Sequence, residues 1–316
     1  MPGEPTMTSP RLLGRIESAL HAFSPNDRRI ADYLLLAYPQ TTWGTVEEVA
    51  QAAGVSKSAV VRFAARLGYE GFQDLQRELQ TDFAELLASP SRLVKQRTES
   101  SGPQTVNAAL ERALDNLQRT HARLVSSNHF DDVARHLAAC RGKILIVGLR
   151  KSFGLAAYLH YLLSSVRPNV VLARPDTSTF PEGLIDLGRD DVLLALSVRR
   201  YTRMTLQAME YARAAGSFVV AITDTVAGPA TPRADVVLAG LSESVLLFDS
   251  ALSVIFIAET LANSMVALRY DDALSRLELT ESVGRKFALF QDATAVPGPG
   301  SLQSRRLRAR GADVVS

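Results

Sequence analysis

The sequence predicts two domains: an all-α helix-turn-helix bundle, then an α/β domain whose five-stranded parallel sheet is covered by helices on both faces. The length of 316 residues exceeds the roughly 100 to 200 residues of a typical single domain. Apolar residues follow helical spacing through the amino-terminal part of the chain. From residue 143 onward, short apolar runs alternate with helical patterns, as in parallel sheets that are buried on both faces.

The bulk composition limits the function classes. Hydrophobic residues make up 47% and charged residues 22%, as in folded proteins. Residues 1–86 carry eight basic against eleven acidic side chains, so any DNA contact must depend on local charge. The chain start lacks the pattern of a signal peptide, and Asp249, Glu259 and Asn263 interrupt the most apolar stretch, 245–268. We therefore expect a cytoplasmic, nucleoid-associated protein with no membrane role.

The first two helices are predicted by spacing and capping signals. Residues 12–23 carry apolar side chains at helical intervals. Ser24 is suited to cap a second helix, with Pro25 at its first position, and the helical pattern continues to Tyr38. The chain therefore begins with two helices that are separated by a sharp break.

Two short helices follow, each with a start and a stop signal. Thr45 and Glu48 form a capping box, and Gly54 ends the helix that it starts. Ser56 caps the next helix, which Gly68 ends. A further amphipathic helix is predicted at 72–87, before a polar, irregular segment.

Residues 46–67 have the spacing of a helix-turn-helix. The small residue Ala50 lets two helices approach closely, and Gly54 supplies the turn conformation that other residues avoid. Val60 and Phe63 are expected to fill the shared core. Six residues of the second helix and its cap are predicted to face outward: Ser56, Lys57, Ser58, Ala59, Arg62 and Arg66.

In such motifs the second helix enters the major groove of DNA. We predict that Lys57, Ser58 and Ala59 face bases, and that Arg62 reads a guanine or holds a phosphate. Ser56 offers its hydroxyl and nearby N–H groups to a phosphate. Further predicted DNA contacts are Arg66 and, as weaker phosphate contacts, Arg28 and Arg29. The alternative is that two small helices simply pack together and that these cations are only solvated.

Four stretches carry a family resemblance: Phe23-Ser-Pro-Asn-Asp-Arg-Arg-Ile-Ala-Asp-Tyr-Leu34, the segment 45–54, Val55-Ser-Lys-Ser-Ala-Val-Val-Arg-Phe63, and Leu67-Gly-Tyr-Glu-Gly-Phe-Gln-Asp-Leu75. Over about sixty residues they resemble the amino-terminal domain of the RpiR family of bacterial transcriptional regulators. Family members commonly show Ala-Thr where this chain has Ser58-Ala59. The resemblance implies a regulator that binds double-stranded DNA at a pseudo-palindromic operator.

The remaining elements give the domain boundaries. Strands are predicted at 143–148, 170–173, 191–196, 217–222 and 235–238, and helices at 105–125, 130–139, 153–166, 202–215 and 244–268. We expect a helix-turn-helix domain at 11–87, a linker at 88–104, the α/β domain at 105–290 and a disordered tail at 291–316.

The RpiR resemblance implies that the α/β domain is a sugar-isomerase-type (SIS) domain, which usually binds phosphorylated sugars. Ligands of open parallel sheets bind beyond the carboxyl ends of the strands. In SIS domains the loop after the third strand resembles Ser-x-Ser-Gly-x-Thr, whereas here Arg199-Arg200 replace the inner Ser-Gly. The predicted effector-binding residues are Gly148, Arg150, Ser152, Ser197, Arg199, Arg200 and Thr202.

Other roles remain open for these residues. The two arginines also suit a structural ion pair or exposed charges, and Ser152, Ser197 and Thr202 also suit helix or turn capping. In the loop after the fourth strand, Thr223 and Asp224 are better suited to stabilise a turn.

We predict a regulator and not an enzyme, with no catalytic residue, cofactor or metal. Its expected partners are operator DNA and a small anionic metabolite such as a sugar phosphate. It is expected to be a homodimer or homotetramer, assembled through the apolar helices at 245–268 and 273–289. One alternative is a sugar-phosphate isomerase, whose base would be His160, Glu182 or Glu243. Another is a scaffold that binds no ligand.

Overall fold

The computed structural model describes residues 11–38, 40–86, 105–174, 179–245 and 247–289. The described residues form a helical amino-terminal region and an α/β region, which confirms the predicted fold class. The predicted linker at 88–104 and tail at 291–316 lie outside the described residues.

Within the described residues, the amino-terminal domain contains five α-helices: α1 (Arg11–Ala19), α2 (Pro25–Leu36), α3 (Val46–Ala52), α4 (Lys57–Arg66) and α5 (Phe72–Leu86). The capping signals act as predicted. The Ser24 side chain accepts a hydrogen bond from the Asp27 N–H, and Ser56 accepts one from Ala59. Thr45 and Glu48 form a reciprocal capping box. The helix predicted at 12–23 is shorter, because a 3-10 turn over Leu20–Ala22 follows α1.

A single hydrophobic core holds these helices together. Val60 and Phe63 of α4 are fully buried, and the ring of Phe63 packs edge-on against Phe23, with ring centroids 5.3 Å apart. Ala50 is buried in the same core. Gly54 has a φ of +66°, a conformation that side chains with a Cβ rarely adopt, and it forms the turn between α3 and α4.

The described part of the α/β domain has six α-helices: α6 (Thr105–Val125), α7 (His129–Ala139), α8 (Lys151–Val166), α9 (Arg203–Ala214), α10 (Leu252–Leu268) and α11 (Tyr270–Lys286). Its strands are β1 (Ile144–Gly148), β2 (Val170–Leu172), β3 (Val192–Ser197), β4 (Phe218–Thr223) and β5 (Val236–Ala239). All neighbouring strands are parallel, in the order β2-β1-β3-β4-β5. The order reverses between β1 and β3, where open sheets usually hold their ligands.

Both faces of the sheet are buried. In β1, Ile144 and Ile146 pack on one face with α7, α8 and α10, whereas Leu145 and Val147 pack on the other with α9. This alternation explains the continuous apolar runs in the sequence, because each strand needs apolar side chains in both directions.

The helix predicted at 244–268 begins only at Leu252. The residues before it form a loop whose polar groups bind other elements. The Glu243 carbonyl accepts a hydrogen bond of 2.7 Å from Asn116 on α6, and Lys151 on α8 forms an ion pair of 3.0 Å with Asp249. These contacts hold the loop in an irregular conformation that local apolar spacing does not reveal.

No single helix within the described ranges is long and apolar enough to cross a membrane. Helices α10 and α11 reach the necessary length only as a pair, and they are bent by 108° at the break between them.

Candidate DNA-reading and ligand-binding sites

Helix α4 has two opposite faces. Ala59, Val60, Phe63 and Ala64 are buried in the domain core. We call the opposite face, which consists of Lys57, Ser58, Val61, Arg62 and Ala65, the α4 stripe; all five residues are exposed. The prediction that Ala59 faces outward is wrong, because Ala59 is only 4% exposed. Val61 occupies the outward position instead, and helical counting from Lys57 identifies it as i+4.

The cations at this surface have different partners. Lys57 forms an ion pair with Glu47 of α3. The hydrogen bond from Lys57 is the main reason that the pKa of Glu47 is lowered. Arg62, Arg28 and Arg29 are exposed, and none of them has an ion-pair partner among the described residues. These three guanidinium groups are therefore available to DNA phosphates or bases.

Arg66 has a structural contact. Its guanidinium pairs with the carboxylate of Asp27, which is buried, and lies close to the hydroxyl of Ser24. A buried carboxylate needs such a counter-charge, because removal from water is costly for an unpaired charge. The pair thus ties the end of α4 to the start of α2.

In the α/β domain, a cavity of about 260 Å³ lies beyond the ends of β1 and β3. Its lining includes Arg150, Lys151, Ser152, Arg199, Arg200, Phe248 and Asp249. The structure thus brings together four of the seven predicted effector residues, whereas Gly148, Ser197 and Thr202 do not line this cavity. A wider cleft of about 1050 Å³, also bordered by Arg150 and Arg200, includes Thr202 and extends to Trp43 of the amino-terminal domain.

The turn from β1 into α8 is tight. A Cβ on Gly148 would lie 2.7 Å from the Ser152 carbonyl oxygen, so glycine permits the close packing of helix on strand. Arg150 stands at the N-cap of α8 with a φ of +56° and makes no side-chain cap. Ser152, which the sequence suggested as a cap, lies inside the first turn and is buried. The first turn of α8 therefore has no side-chain cap, and the N–H groups of Ser152 and Phe153 donate instead to the carbonyls of Leu149 and Arg150, at 3.2 and 3.0 Å.

Arg199 and Arg200, which replace the usual Ser-Gly, differ in their contacts. The Arg199 Nε donates to Asp224 at 3.1 Å, and the Asp224 carboxylate is fully buried. Burial alone would lower the pKa of Arg199, but the charges of Asp224 and Asp249 raise it overall. The Tyr201 hydroxyl donates to the other Asp224 oxygen at 3.0 Å, and burial together with that carboxylate raises the pKa of Tyr201. Asp224 thus anchors two residues of the preceding loop.

Arg200 is exposed, and neither Arg200 nor Arg150 has an ion-pair partner among the described residues. Lys151 and Arg199 are instead neutralised by Asp249 and Asp224. The cavity is therefore lined by two uncompensated positive charges.

Ser197 and Thr202, whose hydroxyls were predicted to bind the effector, lie outside the 260 Å³ cavity. The Ser197 side chain is 2% exposed, and its Oγ has no hydrogen-bond partner in the described part of the chain. The carbonyl of Ser197 accepts a bond of 2.6 Å from Thr223. Thr202 stands at the N-cap of α9, but its hydroxyl contacts Thr205 Oγ1 at 2.7 Å and makes no cap.

The loop after β5 joins the cavity to α6. Its residues Phe248 and Asp249 line the cavity. Its Glu243 side chain lies 3.2 Å from Arg112 and 3.4 Å from Arg119, both on α6. Helix α6 is the first described element after residues 87–104, which connect the two domains. The loop is thus in contact with both the cavity and the start of the α/β domain.

The three candidate bases of the isomerase alternative do not line the 260 Å³ cavity. Glu243 is held by the two arginines of α6. Within the described ranges, no group of three or more His, Cys, Asp or Glu residues is close enough together to hold a metal ion.

Comparison with known proteins places this arrangement in a family. Residues 11–86 match the helix-turn-helix domain of the rpiR family, and residues 136–264 match the SIS domain. The chain belongs to the RpiR family. It is similar to the HTH-type transcriptional regulator YfhH of Escherichia coli, with 28% identity over 211 residues that cover 66% of this chain and 74% of YfhH. It is also similar to the regulator YbbH of Bacillus subtilis, with 23% identity and coverage of 85% and 95%.

Solved structures share the fold of this RpiR-family chain. The Vibrio vulnificus NanR protein complexed with ManNAc-6P has a TM-score of 0.61 and 22% identity, and the match covers 89% of this chain and 100% of NanR. The sugar isomerase domain of an RpiR transcription factor from Sphaerobacter thermophilus has a TM-score of 0.53 and 24% identity, with coverage of 57% and 99%.

Proposed function

We propose that this chain is a transcriptional regulator that binds a pseudo-palindromic operator through α4 and responds to a small anionic metabolite in its SIS domain. The single observation that supports operator binding is the α4 stripe, which places polar and cationic side chains outside the core on one helix face. Genes of carbohydrate catabolism, or a related pathway, are the proposed targets.

Individual contacts follow from the charges. Lys57, Ser58 and Arg62 are proposed to face bases, whereas Ser56, Arg28 and Arg29 contact phosphates. To contact DNA, the Lys57 ammonium group must leave its ion pair with Glu47. Arg66 is proposed to act through the fold, since its guanidinium is paired with Asp27.

The proposed effector is a phosphorylated sugar or a related anionic metabolite. The two uncompensated guanidinium groups of Arg150 and Arg200 support this, because a phosphate monoester carries about −1.5 to −2 charges at neutral pH. The fold likeness to NanR, which was solved with ManNAc-6P, agrees with that class. Ser152 is a further proposed contact, whereas Arg199 is proposed to position the loop through Asp224.

Effector binding is proposed to change the placement of paired amino-terminal domains, so that one state fits the operator better. The loop after β5 supports this route, because it lines the cavity and binds α6 through Glu243. Such coupling cannot exceed the effector's difference in affinity between the two states.

The regulator is proposed to be a homodimer or homotetramer. Helix α10 is largely buried in the core of its own domain, so it is a poor candidate for the interface. Helix α11 exposes Tyr270, Leu274 and Leu277 on one face, and α6 exposes Val106, Leu110 and Leu114. Apolar stripes of this kind on a folded domain commonly mark contacts between subunits.

DNA binding is tested by selection of operators from a library of random duplexes with the full-length protein. Arg62→Ala is expected to weaken binding to the selected operator by at least about tenfold, as for one lost guanine contact. The matched control is Leu36→Ala, because Leu36 is an exposed residue of the same domain outside the α4 stripe. A protein that enriches no duplex, or an Arg62→Ala variant that binds as tightly as the wild type, would contradict the proposal.

Effector binding is tested by thermal unfolding of the full-length protein with N-acetylmannosamine 6-phosphate, glucose 6-phosphate, gluconate or glucose. A ligand at about 100 times its Kd stabilises the folded state by about 2.7 kcal/mol, so Tm rises by several degrees. Arg200→Ala should abolish the shift, whereas Arg123→Ala, an exposed arginine of α6, should not. No shift with any anionic sugar would favour the scaffold, and isomerised sugar in the mixture would favour the enzyme.

A further inference from the structure

The centre of the α4 stripe is apolar. Val61 is 44% exposed and lies between the polar residues Ser58 and Arg62 on the outward face. Its neighbour Val60 is fully buried and supplies the core contact at this turn. A β-branched residue also lowers helix propensity relative to alanine. Val61 also lines a surface cleft of about 620 Å³ together with Val46 and Phe72, but 44% of its surface stays exposed, so packing within the domain does not use the whole side chain.

The chemistry of the major groove supplies a reason. Among the four bases, only thymine presents a methyl group in that groove, while the others present hydrogen-bond donors and acceptors. Two compact methyl groups on a short, stiff side chain can contact such a group without the entropy cost of a long side chain. We propose that Val61 reads the methyl group of a thymine in the operator.

The position of that thymine is also constrained. Val61 and Arg62 are consecutive, so their Cα atoms are about 3.8 Å apart. Successive base pairs are about 3.4 Å apart along the helix axis. The thymine should therefore lie within about two base pairs of the base that Arg62 contacts. The inference rests on the proposed function, because it requires that α4 enter the major groove.

The test removes the methyl group from each partner. Operators are first selected from random duplexes with the full-length protein, and each selected thymine is then replaced in turn by deoxyuridine, which lacks only the methyl group. At one thymine per half-site, the replacement should weaken wild-type binding about fourfold, the value of one buried methyl group. Val61→Ala should lower affinity for the thymine operator by a similar factor and show no further loss with deoxyuridine.

Two readouts separate base reading from a structural role. Because Val61 carries no charge, Val61→Ala should leave the dependence of affinity on salt concentration unchanged. Its Tm should equal that of the wild type or exceed it. Leu36→Ala removes an even more exposed apolar side chain, 86% exposed, and should retain the full deoxyuridine effect.

The outcomes distinguish this inference from the proposed function. If the protein enriches no duplex, both the proposed function and the inference about Val61 are wrong. A selected operator at which wild type and Val61→Ala lose the same factor on deoxyuridine substitution, or at which no thymine is sensitive, overturns only the reading by Val61. An equal loss of affinity for specific and random duplexes would also overturn it, because Val61 would then support the fold or an interface between proteins.

Discussion

Arg62 and Arg66 lie one turn apart on α4, and their guanidinium groups have different environments. Arg62 has no ion-pair partner among the described residues, whereas Arg66 pairs with the buried carboxylate of Asp27. The same contrast recurs at the cavity, where Arg200 is exposed and Arg199 pairs with Asp224. In both places one arginine supports the fold, and its neighbour remains available for a ligand.

At the residue scale, Arg66→Ala should destabilise the protein. We expect the free energy of unfolding to fall by about 1–3 kcal/mol, because the buried Asp27 carboxylate loses its counter-charge and keeps the hydrogen bond from the Ser24 hydroxyl. Arg62→Ala should change it by less than about 0.5 kcal/mol, as at other exposed sites. Chemical denaturation followed by circular dichroism measures both values.

The double variant Asp27→Asn/Arg66→Ala is the control for this pair. Asparagine at position 27 removes the unpaired charge, so the double variant should regain part of the stability lost in Arg66→Ala. If Arg66→Ala unfolded like the wild type and merely bound DNA more weakly, Arg66 would be a DNA contact and the pairing would have no structural role.

Sequence reasoning succeeded at single residues only where the cause was local. The caps at Ser24, Thr45 and Ser56 could be predicted because their partners lie three residues away. The partner of Arg199 lies 25 residues further along the chain, so sequence left its role open. The burial of Ala59 follows from helical spacing, because Ala59 lies four residues before Phe63 and so shares the buried face of α4.

At the scale of elements, strands and helices were predictable because burial on two faces produces a distinctive run of residues. The loop before α10 could not be predicted, because Val245, Leu247 and Phe248 are apolar residues that also suit a helix. Tertiary contacts of Glu243 and Asp249 determine its conformation. Local pattern does not carry that information.

The packing of α8 on β1 gives a stability prediction. In Gly148→Ala the new Cβ would overlap the Ser152 carbonyl and lie 2.9 Å from Ala156 Cβ, so α8 must shift. We expect a loss of about 1–3 kcal/mol, typical of overpacking. Gly154 lies in the same helix with open space around it, and Gly154→Ala should instead stabilise by about 0.5–1 kcal/mol. Denaturant unfolding of both variants tests the opposite signs.

The contact between the loop and α6 gives a prediction about signalling. Glu243→Gln removes the charge that Arg112 and Arg119 bind, and so weakens the link between the cavity and α6. An effector that changes operator affinity in the wild type, typically about 5- to 150-fold, should change it by a clearly smaller factor in this variant. Fluorescence anisotropy with labelled operator, with and without effector, measures the change.

Asp115→Asn is the matched control, since Asp115 contacts the same two arginines but lies within α6. It should keep the wild-type response. Both variants should still bind effector in the absence of DNA. A full response in Glu243→Gln would show that the signal takes another route.

At the scale of the whole molecule, the two domains have separate cores: one lies between residues 12 and 79, and the other, between 133 and 265, consists of two clusters on opposite faces of the sheet. Length and the change from helical to strand patterns were sufficient to predict this division. The assembly of subunits was harder to predict. The notably apolar stretch at 252–268 fills its own core, whereas α11, with fewer apolar residues, exposes them.

Leu277→Lys should weaken subunit association if α11 forms the interface. Burying an unpaired ammonium group among apolar side chains is costly, so we expect the dissociation constant of the oligomer to rise at least about tenfold. Sedimentation velocity over a range of concentrations measures it. Val226→Lys, at an exposed apolar position in the loop after β4, should associate like the wild type. Unchanged association in Leu277→Lys would exclude this face.

The two-faced character of α4 also has an evolutionary consequence. The five residues of the α4 stripe contribute nothing to the packed core, whereas the opposite face is almost completely buried. We therefore expect mutations in the stripe to alter the proposed target preference at little cost in stability. After a gene duplication, we expect the two copies to diverge first at these positions, so that an unchanged sensor acquires control over a new set of genes.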